Sequence, residues 1–236
     1  TGTMQPAGGI FGDWDLEIPR LHGVFASATG WTIGGGFPAS ESGKRCSMFR
    51  APPQVLGQSN QGLFNPEEYW HGSFIYVPGQ GSQEMLLRNA STPYPTDGAP
   101  ASAYPVVTKQ QWVFKCLNTM ARGTGEGFIA IAPDGTQYQF DWMVSRYYPV
   151  VAKPTVEPTS LPTGVGEGVI RPNVNLGYLL QRSEVWILPT VITDRLGNKV
   201  RYTYDSANPW QLKTIQASDT ATRPRLITCN YTAGTH

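Results

Sequence analysis

The sequence predicts an all-β chain: antiparallel hairpins in a twisted sheet, open and shell-like or sandwich-like, with little or no helix. Three observations carry that expectation. No window of about 11 residues or more shows a 3.6-residue apolar period. The 236 residues include 26 glycines and 20 prolines, about a fifth of the chain against an average near 12%. Aromatic residues make up 11% and charged residues only 15%, the reverse of a disordered composition. Many turn-formers with many aromatics imply short strands and tight turns.

Residues 1–13 read as a flexible arm. From Trp14 to Val24, large apolar and polar residues alternate around Pro19. A proline inside a strand belongs on an edge or at a bulge, because it cannot donate to the ladder. Residues 34–45 form a loop. Residues 72–78 and 84–88 read as two strands joined by Gly-Gln-Gly-Ser-Gln, and residues 89–105, rich in Pro, Ala, Ser and Thr, as a long surface loop. Residues 111–117 read as a strand. Two β-type runs then flank Asp134-Gly135, the strongest short hairpin signal a sequence can hold. Five prolines in 149–175 imply a linker or strap, placed at 149–180. It separates a β domain at 14–148 from hairpins at 181–236. In the latter, residues 184–194 and 199–205 flank a turn at Leu196-Gly197-Asn198, and residues 212–218 and 225–231 are the last two strands.

Composition excludes several functions. Lys and Arg number 18 against 17 Asp and Glu, a net charge of +1, which gives no support for a nucleic-acid partner. No apolar run approaches membrane-spanning length. The chain does not begin with Met and lacks a charged-then-apolar signal pattern, so either a signal was removed or this is a piece of something longer. Cys46, Cys116 and Cys229 lack the close spacing of a zinc site. One disulfide with one thiol left over is possible; the expectation is three reduced, packed thiols.

No catalytic, metal or cofactor site reaches useful specificity. Gly36 to Lys44 has the wrong spacing for a phosphate loop, with Arg45 where Ser or Thr should stand. The glycine clusters at 123–127 and 164–168 open no helix and read as turns. His22, His71 and His236 accompany no nucleophile motif. Asp13, Asp15 and Glu17, or Glu67-Glu68 beside Tyr69-Trp70, could be paired for glycoside hydrolysis; a solvated strand face and ordinary loop charges account for them better. Asn89-Ala90-Ser91 and Asn230-Tyr231-Thr232 match the glycosylation pattern only.

Two segments share a plan. Asp134 to Asp141 runs G-x-x-Y-x-F-D, and Gly197 to Asp205 runs G-x-x-V-x-Y-x-Y-D. Each places a turn glycine first, then β-branched or aromatic residues at every second position, then aspartate. Alternate residues of a strand face one side, so Val200, Tyr202 and Tyr204 form a stripe that can stack on the next hairpin. Gly197 supplies a positive φ, and Asp205 can cap the following turn.

The second segment resembles the YD repeat of the RHS protein family. The matching residues are Asp194, Gly197, Asn198, Tyr202, Tyr204 and Asp205, followed by Leu212 and Ile215. Arg223 to Tyr231 keeps the strand and final Tyr of a next unit but lacks its glycine. Upstream, Trp14 to Arg20, Gly30-Trp31, Arg45-Cys46-Ser47, Ala51-Pro52-Pro53, Glu68 to Gly72 and Gly125 to Phe128 resemble the segment preceding the repeats in some bacterial RHS proteins.

The resemblance implies a piece of a large β-shell that encloses a C-terminal toxin or other domain, secreted or at the cell surface of a bacterium. One good repeat cannot close a cage alone. The implied partners are further repeats of the same protein, another copy of the chain, or a toxin cargo. Leu226, Ile227, Thr228 and Cys229 form an apolar last strand without charge or Pro, ready to template another chain, unless residues 1–12 fold back over it. The rival reading is a secreted carbohydrate-binding or glycoside-processing β-protein, with Trp14, Trp31, Trp70, Trp112 and Trp142 as stacking platforms and Glu68 or Asp15 as acid.

Overall fold

A computed structural model describes residues 9–11, 14–15, 17–27, 30, 43–60, 62–95, 97–156, 174–218 and 225–231. The chain is all-β. Its strands are β1 (Gly9–Phe11), β2 (Trp14–Asp15), β3 (Arg20–Phe25), β4 (Val55–Leu56), β5 (Leu63–Phe64), β6 (Ser73–Val77), β7 (Gly81–Glu84), β8 (Leu86–Leu87), β9 (Val106–Val107), β10 (Val113–Leu117), β11 (Gly127–Ile131), β12 (Gln137–Val156), β13 (Val174–Thr193), β14 (Lys199–Tyr204), β15 (Leu212–Ser218) and β16 (Arg225–Thr228). The single α-helix among the described residues is the four-residue α1 (Pro66–Tyr69).

Twelve strands belong to one sheet, and part of it nearly closes on itself. β13 pairs with β12 and β3, β3 with β6, and β6 with β7. From β12 the pairing runs through β11, β10 and β9 to β8. Only Met85 separates β7 from β8, so residues 81–87 join the two ends into a barrel-like ring. Period-2 patterning fills it. In β3, Leu21, Gly23 and Phe25 are buried while Arg20, His22 and Val24 are half-buried. Ile75, Phe114, Phe128, Phe140, Val185 and Ile187, all at 0% exposure, complete the interior. Gly23 admits the Phe25 ring, since a Cβ there would lie 2.7 Å from it. The shell-like form expected from the sequence is met by this nearly closed ring, and the sheet stays open at the far end, where β14, β15 and β16 continue beyond β13.

β13 serves both parts. It pairs with β3 through Ser183–Ile187 and with β14 through Val191–Thr193 on the same edge. Pro189 stands in the gap, where its missing N–H leaves no ladder donor orphaned. Beside it, Thr190 of β13 and Asp141 of β12 are each left out of the register. These compensating bulges bend the ribbon where the partner changes. Thr190 Oγ donates to Asp141 Oδ1 at 2.6 Å, and Gln139 Nε2 donates to Oδ2 at 2.7 Å.

Three expectations need correction. The stretch 149–180 is not wholly a linker: β12 runs on to Val156 and β13 starts at Val174, so both proposed boundaries fall within strands. Pro149 and Pro154 are tolerated because β12 there has a partner strand on one side only. Pro19 lies just ahead of β3 and not inside a strand. Cys46 and Cys116 form a disulfide, with Cα atoms 5.4 Å apart, and only Cys229 is free. A sequence separation of 70 carries no information on that proximity. The loop at 34–42 and the glycine cluster at 164–168 lie outside the described residues.

Candidate assembly edge

The hairpin tail is built on Asp194, Gly197, Asn198, Tyr202, Tyr204 and Asp205. Asp194 organises the β13–β14 turn: Oδ1 accepts from the backbone N–H of Leu196 (2.8 Å) and Asn198 (2.9 Å), and Oδ2 from Asn198 Nδ2 (2.7 Å). These donors hold its carboxyl below the usual range, the Asn198 side chain most strongly. Gly197 takes φ +89°. Asp134 and Gly135 repeat the arrangement between β11 and β12, with Thr136 N–H donating to Asp134 Oδ1 at 2.9 Å and Gly135 at φ +87°.

β14 then alternates as its sequence requires. Lys199, Arg201 and Thr203 face solvent, Val200 and Tyr202 are half-buried and Tyr204 is buried. The Tyr204 ring stacks on Trp142 at 5.3 Å, and its hydroxyl donates to the Pro189 carbonyl at 2.8 Å. Burial pushes the Tyr204 hydroxyl well above its ordinary pKa. Asp205 Oδ1 accepts from Ala207 and Asn208 N–H, each at 2.8 Å, and Lys213 Nζ lies 3.2 Å from Oδ2. The aspartate thus caps the next turn. Asp141, its counterpart in the first segment, is buried on a bulge and caps nothing.

The stripe runs across the tail to its end. Tyr202 is opposite Ile215, and Ile215 is opposite Ile227. Directly opposed residues share a face, so one apolar row crosses β14, β15 and β16. Burial fades along it, and every β16 residue is exposed. Leu226 is 60% and Ile227 59% exposed, on opposite faces of the strand. Among the described residues β16 has one neighbour, β15. Thr228 pairs with Thr214, and Cys229 N–H donates to Lys213 O at 2.9 Å. Tyr231 Oη donates to Leu212 O at 3.0 Å. As with Tyr204, a tyrosine hydroxyl ties the chain to a carbonyl of the strand before it. The arm proposed to cover this edge contributes β1, which among the described residues pairs with β2.

Three of the residues considered for carbohydrate chemistry, Trp112, Trp142 and Glu68, are otherwise occupied. Trp112 is 1% exposed inside the ring. Trp142 stacks on Tyr204 and donates to Pro209 O. Glu68 closes a capping box with Asn65 and pairs with Lys153 at 2.8 Å. The side chains of Trp14 and Asp15, and the whole of Trp31, lie outside the described residues. His22 stacks on Phe74 and meets Ser82 Oγ at 3.2 Å. Burial first, then Arg20, lowers its pKa to about 4. His71 is exposed. Among the described residues no group of three or more His, Cys, Asp or Glu could hold a metal ion, and no helix is long and apolar enough to cross a membrane.

The tail is mounted on Pro189, Thr190, Asp141 and Trp142; read from sequence alone, Pro189 and Thr190 have no role, Asp141 is a motif aspartate and Trp142 a stacking platform. The signal was a proline in mid-strand, in Leu188-Pro189-Thr190. No family model, curated protein or solved structure matches this chain.

Proposed function

We propose that this chain is a non-enzymatic structural module of the YD-repeat type. The ring anchors a stack of hairpins, and β16 receives the next strand of a larger β-shell or surface assembly that encapsulates or displays a partner. One observation carries the reading. The outer edge of β12 holds Pro149 and Pro154, which guard a sheet edge, whereas beyond Arg225 the residues Leu226, Ile227 and Thr228 of β16 are uncharged, proline-free and exposed. The resemblance of Asp194 to Asp205 to the YD motif supplies the family context, with further repeats, another copy or a toxin cargo as partners. The disulfide favours a secreted or cell-surface location, because such bonds persist in oxidising compartments.

The test compares the wild-type chain with Thr228→Pro by light scattering across concentration, with hydrogen exchange of the 225–228 amides. Association that rises with concentration and is weakened by proline supports the reading. A wild type that stays monomeric while those amides exchange slowly overturns it.

A further inference from the structure

The segment at residues 43–49 reaches the ring from outside the sheet and docks at the end where β10 and β11 meet. Cys46 and Phe49 enter the ring's apolar interior. Besides the disulfide, two charged side chains hold the segment in reciprocal fashion. Arg45, only 1% exposed, donates to the Thr124 carbonyl at 2.7 Å, to the Glu126 carbonyl, and to Met120 Sδ at 2.9 Å. Glu126 answers with its carboxylate: Oε2 accepts from Cys46 N–H (3.0 Å) and Ser47 N–H (2.8 Å), and Oε1 from Ser47 Oγ (2.7 Å). Glu126 N–H also donates to Gly43 O at 2.8 Å. The Gly43 and Gly125 backbones touch so closely that a Cβ on Gly125 would lie 2.4 Å from Gly43 O.

This clasp needs no disulfide. It fixes the backbone N–H of the cysteine itself, and it crosses the same span of chain that the disulfide closes. We propose that Arg45 and Glu126 are positioning residues that hold Cys46 against Cys116 before oxidation, so that this pair closes and Cys229 stays a thiol. Chain statistics alone would not choose so well. The native pair closes a loop of 70 residues, and the alternatives close loops of about 113 and about 183. Loop-closure entropy then favours the native pair only about twofold over the next. A docked clasp replaces that weak preference with local proximity, which raises the rate of an intramolecular step.

The oxidation proceeds as two thiol–disulfide exchanges with a low-molecular-weight disulfide such as oxidised glutathione. The half-buried Cys116 thiolate attacks it, forming a mixed disulfide and releasing one glutathione thiolate. The Cys46 thiolate then attacks the Cys116 sulfur and expels the second. The two cysteines lose two electrons, the glutathione disulfide gains them, and the two thiol protons pass to the released thiolates.

Two measurements test the assignment. In the first, reduced unfolded protein is returned to native buffer with glutathione, and the disulfides are mapped by mass spectrometry over time. The wild type should form Cys46–Cys116 at least about tenfold faster than either pairing with Cys229. Arg45→Met and Glu126→Gln should slow that bond and drop its advantage towards about twofold, while Arg45→Lys retains part of it. In the second, which does not depend on a variant folding, native wild type is reduced with a dithiol and alkylated. Cys46 should then react at least about tenfold more slowly than Cys229, because the clasp stays shut. Equal alkylation of Cys46 and Cys229, or wild-type rate and selectivity in both Arg45→Met and Glu126→Gln, overturns the proposal.

Discussion

The Tyr204 hydroxyl donates to the carbonyl of Pro189 at 2.8 Å, in the gap where β13 exchanges β3 for β14. This one bond ties the repeat strand to the strand that also belongs to the ring. The pair is buried, so removing the donor leaves an acceptor without water to replace it. Tyr204→Phe should therefore lower stability by about 1–2 kcal/mol in urea unfolding. Tyr202 is half-buried, and among the described residues its hydroxyl has no such carbonyl partner. Tyr202→Phe should stay within about 0.5 kcal/mol of wild type. A loss below about 0.5 kcal/mol in both variants would show that the stripe acts through ring packing alone.

Two glycines separate backbone strain from crowding. Gly197 has φ +89° and nothing within 4 Å of its Cβ position, so Gly197→Ala adds strain alone. Its cost should be about 1–2 kcal/mol. Gly125 combines φ +83° with a backbone oxygen 2.4 Å from the Cβ position. Gly125→Ala should destabilise severalfold more and delay the Cys46–Cys116 bond, because the 43–49 segment can no longer seat. Thermal unfolding with disulfide mapping checks both.

What the sequence disclosed was local. The hairpins at Asp134-Gly135 and Leu196-Gly197-Asn198 were legible because alternation and turn chemistry lie within a few residues of each other. The cap at Asp205 was legible for the same reason. The ring was not, because Leu21–Phe25 pair with a strand far along the chain. The disulfide was hidden likewise, since neither Cys46 nor Cys116 carries a mark of its partner. Asp141 misled by similarity. It ends the same motif as Asp205, but a compensating bulge at Thr190 turns it inward.

At the edge, Ile227 and Ile215 occupy the same row yet should respond differently to charge. Ile227 is 59% exposed, so Ile227→Lys should cost less than about 0.5 kcal/mol while suppressing association, since an edge lysine discourages pairing. Ile215 lies between Tyr202 and Ile227 in the row and is half-buried. Ile215→Lys should cost about 2 kcal/mol or more. Sedimentation across concentration and urea unfolding on both variants read the two effects. Unchanged association of Ile227→Lys would place the contact elsewhere.

The two aspartates of the paired segments should respond to pH with opposite signs. Asp141 is 4% exposed, and burial raises its carboxyl above the ordinary 3.8, although Thr190 and Gln139 oppose the shift. Its ionised form is thus disfavoured in the fold. That penalty is present above the raised value and disappears as pH falls through it towards 3.8. Asp205 is the reverse. The Asn208 N–H, the Lys213 side chain and the Ala207 N–H hold it below 3.8, so it contributes stability above 3.8 that is lost as pH falls through the lowered value. Asp141→Asn keeps the bond from Thr190, keeps the contact with Gln139 once the Gln139 amide turns its oxygen to the new NH2, and removes the charge. It should unfold at a higher temperature than wild type at pH 7, with an advantage that shrinks as pH approaches 3.8. Asp205→Ala should unfold at a lower temperature at pH 7, by an amount that shrinks only below 3.8. Calorimetry from pH 3 to pH 7 on the three proteins reads both differences. If Asp141→Asn is less stable than wild type at pH 7, the carboxylate is needed as an acceptor at the bulge and its burial is not a penalty.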